Sequence, residues 1–174
     1  MNLVLIGYRA TGKSSVGALL SKQLHWPLLD TDDLIQQEAR QTIPEIVAAG
    51  GWDHFRHLEK MAVARVCSLD HHVIATGGGV VLEPENVARL RATGCLIWLQ
   101  ADAETIQARL AADDNRPSLT GADTIKEVPQ VLEKRLAAYR RAAHINIDTS
   151  GLSPAQIAER ILRLLPEPGC GVKT

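Results

Sequence analysis

Short apolar runs alternate along the chain with longer stretches in which apolar residues recur every three or four positions. Residues 3–6 (LVLI) form a compact apolar run that stops at Gly7, the pattern of a strand buried on both faces. Val16, Leu19, Leu20 and Leu24 then fall at helical spacing and predict a helix over about 13–25. The same reading predicts strands at 26–29, 71–76, 95–99 and 145–147, and helices near 52–68, 84–92, 102–111, 126–142 and 153–165. Helices and strands interleaved in this way predict an α/β fold, a parallel sheet covered on both faces. Ligands of such sheets gather at the carboxyl ends of the strands. Three of those ends lead into polar residues or glycines, from Gly7, Asp30 and Gly77 onward. Residues 111–125 (AADDNRPSLTGADTI) break the pattern, with few large apolar side chains and with Pro117 and Gly121. They predict a polar, mobile connector between two helices, and a loop of that length is functional or disordered.

Composition narrows the function classes. A chain of 174 residues with 45% hydrophobic content supports one well-cored domain, 1–174. Nineteen basic against twenty acidic side chains argue against a nucleic-acid or membrane-surface binder, which would carry a basic excess. No apolar run reaches the ~18 residues of a membrane span, and MNLVLIGYRA lacks the features of a signal peptide. Cys67, Cys95 and Cys170 form no C-x-x-C pair and read as reduced thiols of a cytoplasmic protein.

GYRATGKS, residues 7–14, satisfies G-x-x-x-x-G-K-[ST] in full, between a predicted strand and a predicted helix. Its glycines let successive backbone N–H groups turn inward onto phosphate oxygens, and the helix adds its positive end. Lys13 reaches the β and γ phosphates and the Ser14 hydroxyl can ligate Mg²⁺. Within the loop Arg9 reads as solvent-exposed, and Tyr8 carries no signal.

A phosphate loop alone does not say what accepts the phosphoryl group. In LLDTDD, residues 28–33, Asp30 and Asp32 would share a side if the extended backbone persisted. Asp33 would then cap a helix starting near Leu34. Arg56 and Glu59 stand three apart on a helix, so the carboxylate can hold the guanidinium; taken alone, the window reads as an ordinary surface ion pair. His54 and His57 are also three apart but lack a third ligand. Gly77, Gly78 and Gly79 imply close backbone approach to a ligand. Arg135 and Tyr139 share a helix face that by itself reads as basic and solvated.

In order, GYRATGKS, LLDTDDL, FRHLE, VIATGGGVV, NRPSLTG and KRLAAYRRAA resemble the shikimate kinase family, over residues 3 to 154. The resemblance implies a three-layer P-loop kinase fold with a five-stranded parallel sheet. It implies ATP and Mg²⁺ as cofactors and transfer of the γ-phosphoryl to the 3-hydroxyl of shikimate. By the same resemblance Asp32 would bind the ring hydroxyls, Arg56 and Arg135 would hold the carboxylate, and Glu59 would orient Arg56. Gly78 and Gly79 would approach the ring. Gly7, Ala10, Thr11, Gly12, Lys13, Ser14 and Ser15 would cradle the nucleotide, with Arg109 against the adenine. Ser14 and Asp32 would share the metal. Arg116 would be the arginine of a lid over about 111–125, Asp32 would belong to an acceptor region over about 32–60, and residues 166–174 would be a disordered tail. The resemblance further implies a monomer. Ala10 stands where the family commonly has glycine, and DTSGLSP (148–154) lacks an arginine that some relatives place near the adenine. A gluconate-type kinase, a nucleoside monophosphate kinase and a catalytically silent nucleotide-binding module are the rival readings.

Overall fold

In the computed structural model, which describes residues 1–111 and 123–165, β1 (Asn2–Ile6), β2 (Leu28–Asp30), β3 (Val73–Ala75), β4 (Gly94–Gln100) and β5 (Ile145–Asp148) make one sheet. The strand order is β2-β3-β1-β4-β5, and every neighbouring pair is parallel. The helices are α1 (Lys13–Leu24), α2 (Thr31–Ala39), α3 (Ile43–Cys67), α4 (Pro84–Thr93), α5 (Ala103–Leu110), α6 (Val128–Ala142) and α7 (Pro154–Leu164). The predicted lid lies mostly, and Arg116 and the predicted tail wholly, outside the described residues.

The unbroken apolar run of β1 follows from its central place. Leu3 and Leu5 pack with Val16 and Leu20 of α1 and with Ile157 and Ile161 of α7. Val4 and Ile6 point the other way, onto Val63 and Val66 of α3, Leu90 of α4 and Tyr139 of α6. Burying each large apolar side chain contributes about 1.5–3 kcal/mol, so the strand is held from both sides. This places the carboxyl ends of β2, β3 and β1 next to one another. None of the described helices is long and apolar enough to cross a membrane.

Two predicted boundaries differ from the structure. The helix expected near Leu34 begins at Thr31, because Asp30 caps it: its carboxylate accepts from the Asp32 N–H. The helix expected near 52 begins at Ile43. There Thr42 and Glu45 make a reciprocal capping box, with Pro44 in the first turn. Gly51 (φ 72, ψ 179) then kinks α3, and the Gly50–Gly51 pair interrupts the helical pattern in sequence just ahead of residue 52.

His144 joins β4 to the start of β5. Its N–H donates to Leu96 O (2.8 Å), while its ring Nδ1 accepts from the Leu96 N–H (2.9 Å). Burial, and secondarily Arg91, hold the imidazole below the ordinary value of 6.5. The unfolded chain therefore takes up this proton first as pH falls, and stability is lost from about pH 6.5 downward. His144→Asn keeps an acceptor without the titration. Its melting temperature should fall less than that of the parent between about pH 7 and pH 5, and parallel curves would refute the assignment.

Candidate active site

The three adjacent strand ends each deliver one part of the site. After β1 the chain turns through Gly7 (φ 147) and Gly12 (φ 95) into α1. A Cβ on Gly7 would run into Leu99 O of the neighbouring strand, so this turn admits only glycine. Lys13 is buried, and its Nζ donates to Gly7 O (2.9 Å) and Tyr8 O (2.7 Å). Thr11 Oγ1 also donates to Tyr8 O (2.8 Å). A cation and a hydroxyl thus fasten the loop's curl from inside. Ala10 takes a left-handed backbone (φ 60), which disfavours a residue with a Cβ by about 1–2 kcal/mol. Arg109 braces that residue, donating to Ala10 O (3.2 Å), Thr149 Oγ1 (3.3 Å) and Thr149 O (3.2 Å).

After β2, Asp30 uses both its oxygens. Oδ1 caps α2 and Oδ2 accepts from Ser14 Oγ (3.2 Å). The extended backbone ends here, so the alternation that would align Asp30 with Asp32 does not continue. Asp32 stands instead in the first helical turn, and it is Asp30 that lies against the Ser14 hydroxyl. Thr31, fully buried, accepts from the Gly77 N–H (3.0 Å) and ties α2 to the glycines after β3.

Those glycines are places where side chains from elsewhere press on the backbone. A methyl on Gly77 would stand 2.7 Å from Asp32 Oδ1 and 3.0 Å from Glu59 Oε1. One on Gly79 would run into the Arg56 guanidinium. Gly78 O accepts from Tyr139 Oη (2.5 Å).

Arg56 donates to Glu59 Oε2 at 2.8 Å, and Glu59 is fully buried, so this is not the ordinary surface pair that its window suggests. Burial pushes the Glu59 carboxyl above its usual range despite the opposing pull of Arg56. Its other oxygen, Oε1, has no hydrogen-bond partner among the described residues.

Arg9 and Arg135, expected in solvent, are also buried, each 7% exposed. Compensation hidden from a sequence window explains both. The two guanidiniums lie 5.8 and 5.7 Å from the ring centre of Tyr8, and Arg9 also faces Glu127 at 3.9 Å. Tyr8 is part of a cluster with Ile106, Leu110 and Val131, a core role that a residue inside a phosphate loop does not advertise.

Two cavities adjoin. One of about 400 Å³ is lined by Arg9, Asp33, Arg56, Glu59, Gly77, Gly78, Gly79 and Arg135. The other, of about 190 Å³, follows the phosphate loop along Ala10, Gly12, Lys13 and Ser15. Ser14, Asp30 and Asp32 line both. His54 and His57 are exposed, and no three His, Cys, Asp or Glu side chains gather at a point among the described residues. Hard oxygen donors are nevertheless present in the Ser14 hydroxyl and the carboxylates beside it. That donor set suits Mg²⁺, which takes one or two carboxylates together with substrate phosphates.

The shikimate kinase family profile matches residues 9–166. The chain is 41% identical over 171 residues to a shikimate kinase of Symbiobacterium thermophilum, covering 97% of this chain and 98% of that one. To the shikimate kinase of Moorella thermoacetica it is 42% identical over 164 residues, with 94% of each chain covered. Among solved structures, the shikimate kinase from Acinetobacter baumannii in complex with shikimate is similar at a TM-score of 0.89 and 31% identity. That match covers 94% of this chain and 91% of the other.

Proposed function

The chain belongs to the shikimate kinase family, ATP-dependent kinases that phosphorylate a shikimate hydroxyl, and we propose that its two adjoining cavities carry the substrates of that transfer. The observation that carries this reading is the position of Asp32, which lines both cavities. ATP phosphates would lie along the smaller cavity, where the loop N–H groups, Lys13 and the start of α1 offer positive potential. Shikimate would occupy the larger one. Its carboxylate would meet Arg56 and Arg135, whose fork geometry suits bidentate, directional pairing. Glu59 would keep Arg56 aimed, and the Gly78 and Gly79 backbone would flank the ring. The 3-hydroxyl then lies beside Asp32 and in line with the γ-phosphate.

Phosphoryl transfer asks little covalent chemistry of the protein, so positioning dominates. Asp32 orients the attacking hydroxyl first and takes its proton late. Ser14 and Asp30 would hold Mg²⁺ with Asp32 nearby; bound there, the ion neutralises phosphate charge. Arg109 would serve the nucleotide from the far side of the loop, and Arg116 would close over the phosphates. ADP release from Mg·ATP, measured with shikimate, gluconate or AMP as acceptor, tests the assignment. Turnover is expected with shikimate, and activity with gluconate alone, or with no acceptor, would overturn it.

A further inference from the structure

The transfer as derived makes no use of Arg9, yet this side chain is buried at the acceptor cavity. We propose that Arg9 is a specificity-determining residue of that cavity, a third guanidinium that recognises the acceptor's carboxylate together with Arg135. The inference rests on the reading of the larger cavity as the shikimate site.

Arg9 lines the larger cavity and is absent from the walls of the smaller one along the phosphate loop. Although it belongs to the phosphate loop by sequence, its side chain therefore faces the acceptor. The loop and α6 meet at Gly78: a methyl there would stand 3.4 Å from the Arg9 backbone nitrogen and 3.7 Å from Arg135 Nη1. Removing a guanidinium from water costs several kcal/mol unless charge and hydrogen bonds compensate it. Here one aromatic ring, Tyr8, faces both cations, and one carboxylate, Glu127, stands 3.9 Å from Arg9. Arg135 makes no ion pair among the described residues, whereas the third guanidinium, Arg56, is matched by Glu59. Arg9 and Arg135 thus set two planar donors in one wall of the cavity, where a singly charged planar anion would be matched by them. A neutral acceptor of the same shape would offer those guanidiniums no charge to pair with, which is how such a site rejects it.

The test uses the full chain with shikimate and with its methyl ester, which removes the carboxylate charge and keeps the ring. Arg9→Met retains the apolar stem and loses the cation. Its KM for shikimate should rise about 10–100-fold, with KM for ATP within about two-fold of the parent. The preference for acid over ester should fall by at least about ten-fold, read from kcat/KM or, for an ester that does not react, from competitive inhibition constants. Arg9→Lys should recover part of that preference. Because the preference is a ratio within one preparation, partial unfolding does not alter it. An unchanged preference in Arg9→Met, or a rise in KM for ATP equal to that for shikimate, would overturn the role of Arg9. A parent enzyme that fails to turn over shikimate would instead overturn the reading of the cavity.

Discussion

Asp32→Asn is expected to lower kcat by about 10²–10⁴-fold, the usual range for loss of a general base, while KM for ATP changes little. Asparagine preserves the volume and one acceptor oxygen, so the cavity walls stay where they are. What disappears is one of the two negative charges, those of Asp30 and Asp32, that line both cavities. In a loose transition state the acceptor proton leaves late, so most of the loss reflects an attacking hydroxyl that is no longer aimed. Steady-state kinetics at saturating ATP measure the effect, and near-normal turnover would remove Asp32 from the mechanism.

Gly77→Ala should cost about 10² in kcat/KM, the scale of a displacement of about 1 Å in a reacting group. The new methyl would lie 2.7 Å from Asp32 Oδ1, closer than such contacts are tolerated, and 3.0 Å from Glu59 Oε1, a tight contact. The backbone has little room to retreat, because the Gly77 N–H is held by Thr31 Oγ1. The carboxylates must therefore move, and Asp32 sits in a helical turn already fixed by the Asp30 cap. Paired measurements of kcat/KM and melting temperature separate this effect from unfolding. A folded variant with kcat/KM within about three-fold of the parent would contradict the crowding, since a 1 Å displacement predicts far more.

Much of this architecture is legible in the sequence. β1 and α1 announce themselves because a continuous apolar run gives way, at glycine, to a helical period. The phosphate loop between them is a spacing pattern with a physical reason at each position. The acceptor side was legible as a set of residue types but not as an arrangement. Reading LLDTDD as one extended segment put Asp30 and Asp32 on the same side, whereas the cap formed by Asp30 turns the chain into α2 one residue after it. The Thr42–Glu45 box is a T-x-x-E signal ahead of an apolar stretch, masked in sequence by Gly50 and Gly51. The burial of Arg9, Arg135 and Glu59 could not be read locally. Glu127 reaches Arg9 and the Tyr8 ring reaches Arg135 from distant parts of the chain, whereas for Glu59 the partner Arg56 is legible three residues away and only the burial is not.

The acceptor helices carry a small core of their own. Ile35, Ile46, Phe55 and Ala62 pack together, with Trp52 and Leu58 against them, and none of these residues belongs to the sheet. A cluster closed within its own helices can open as one cooperative unit, at a free energy below that of the whole chain. Asp32, Arg56 and Glu59 ride on that unit, while Arg135 is anchored on α6. An acceptor bound as proposed, between Arg56 and Arg135, would stitch the two together, and its binding free energy would add directly to the cost of opening. Acceptor occupancy would thus be written into the amide exchange rates of α2 and the first half of α3, before any phosphoryl group has moved.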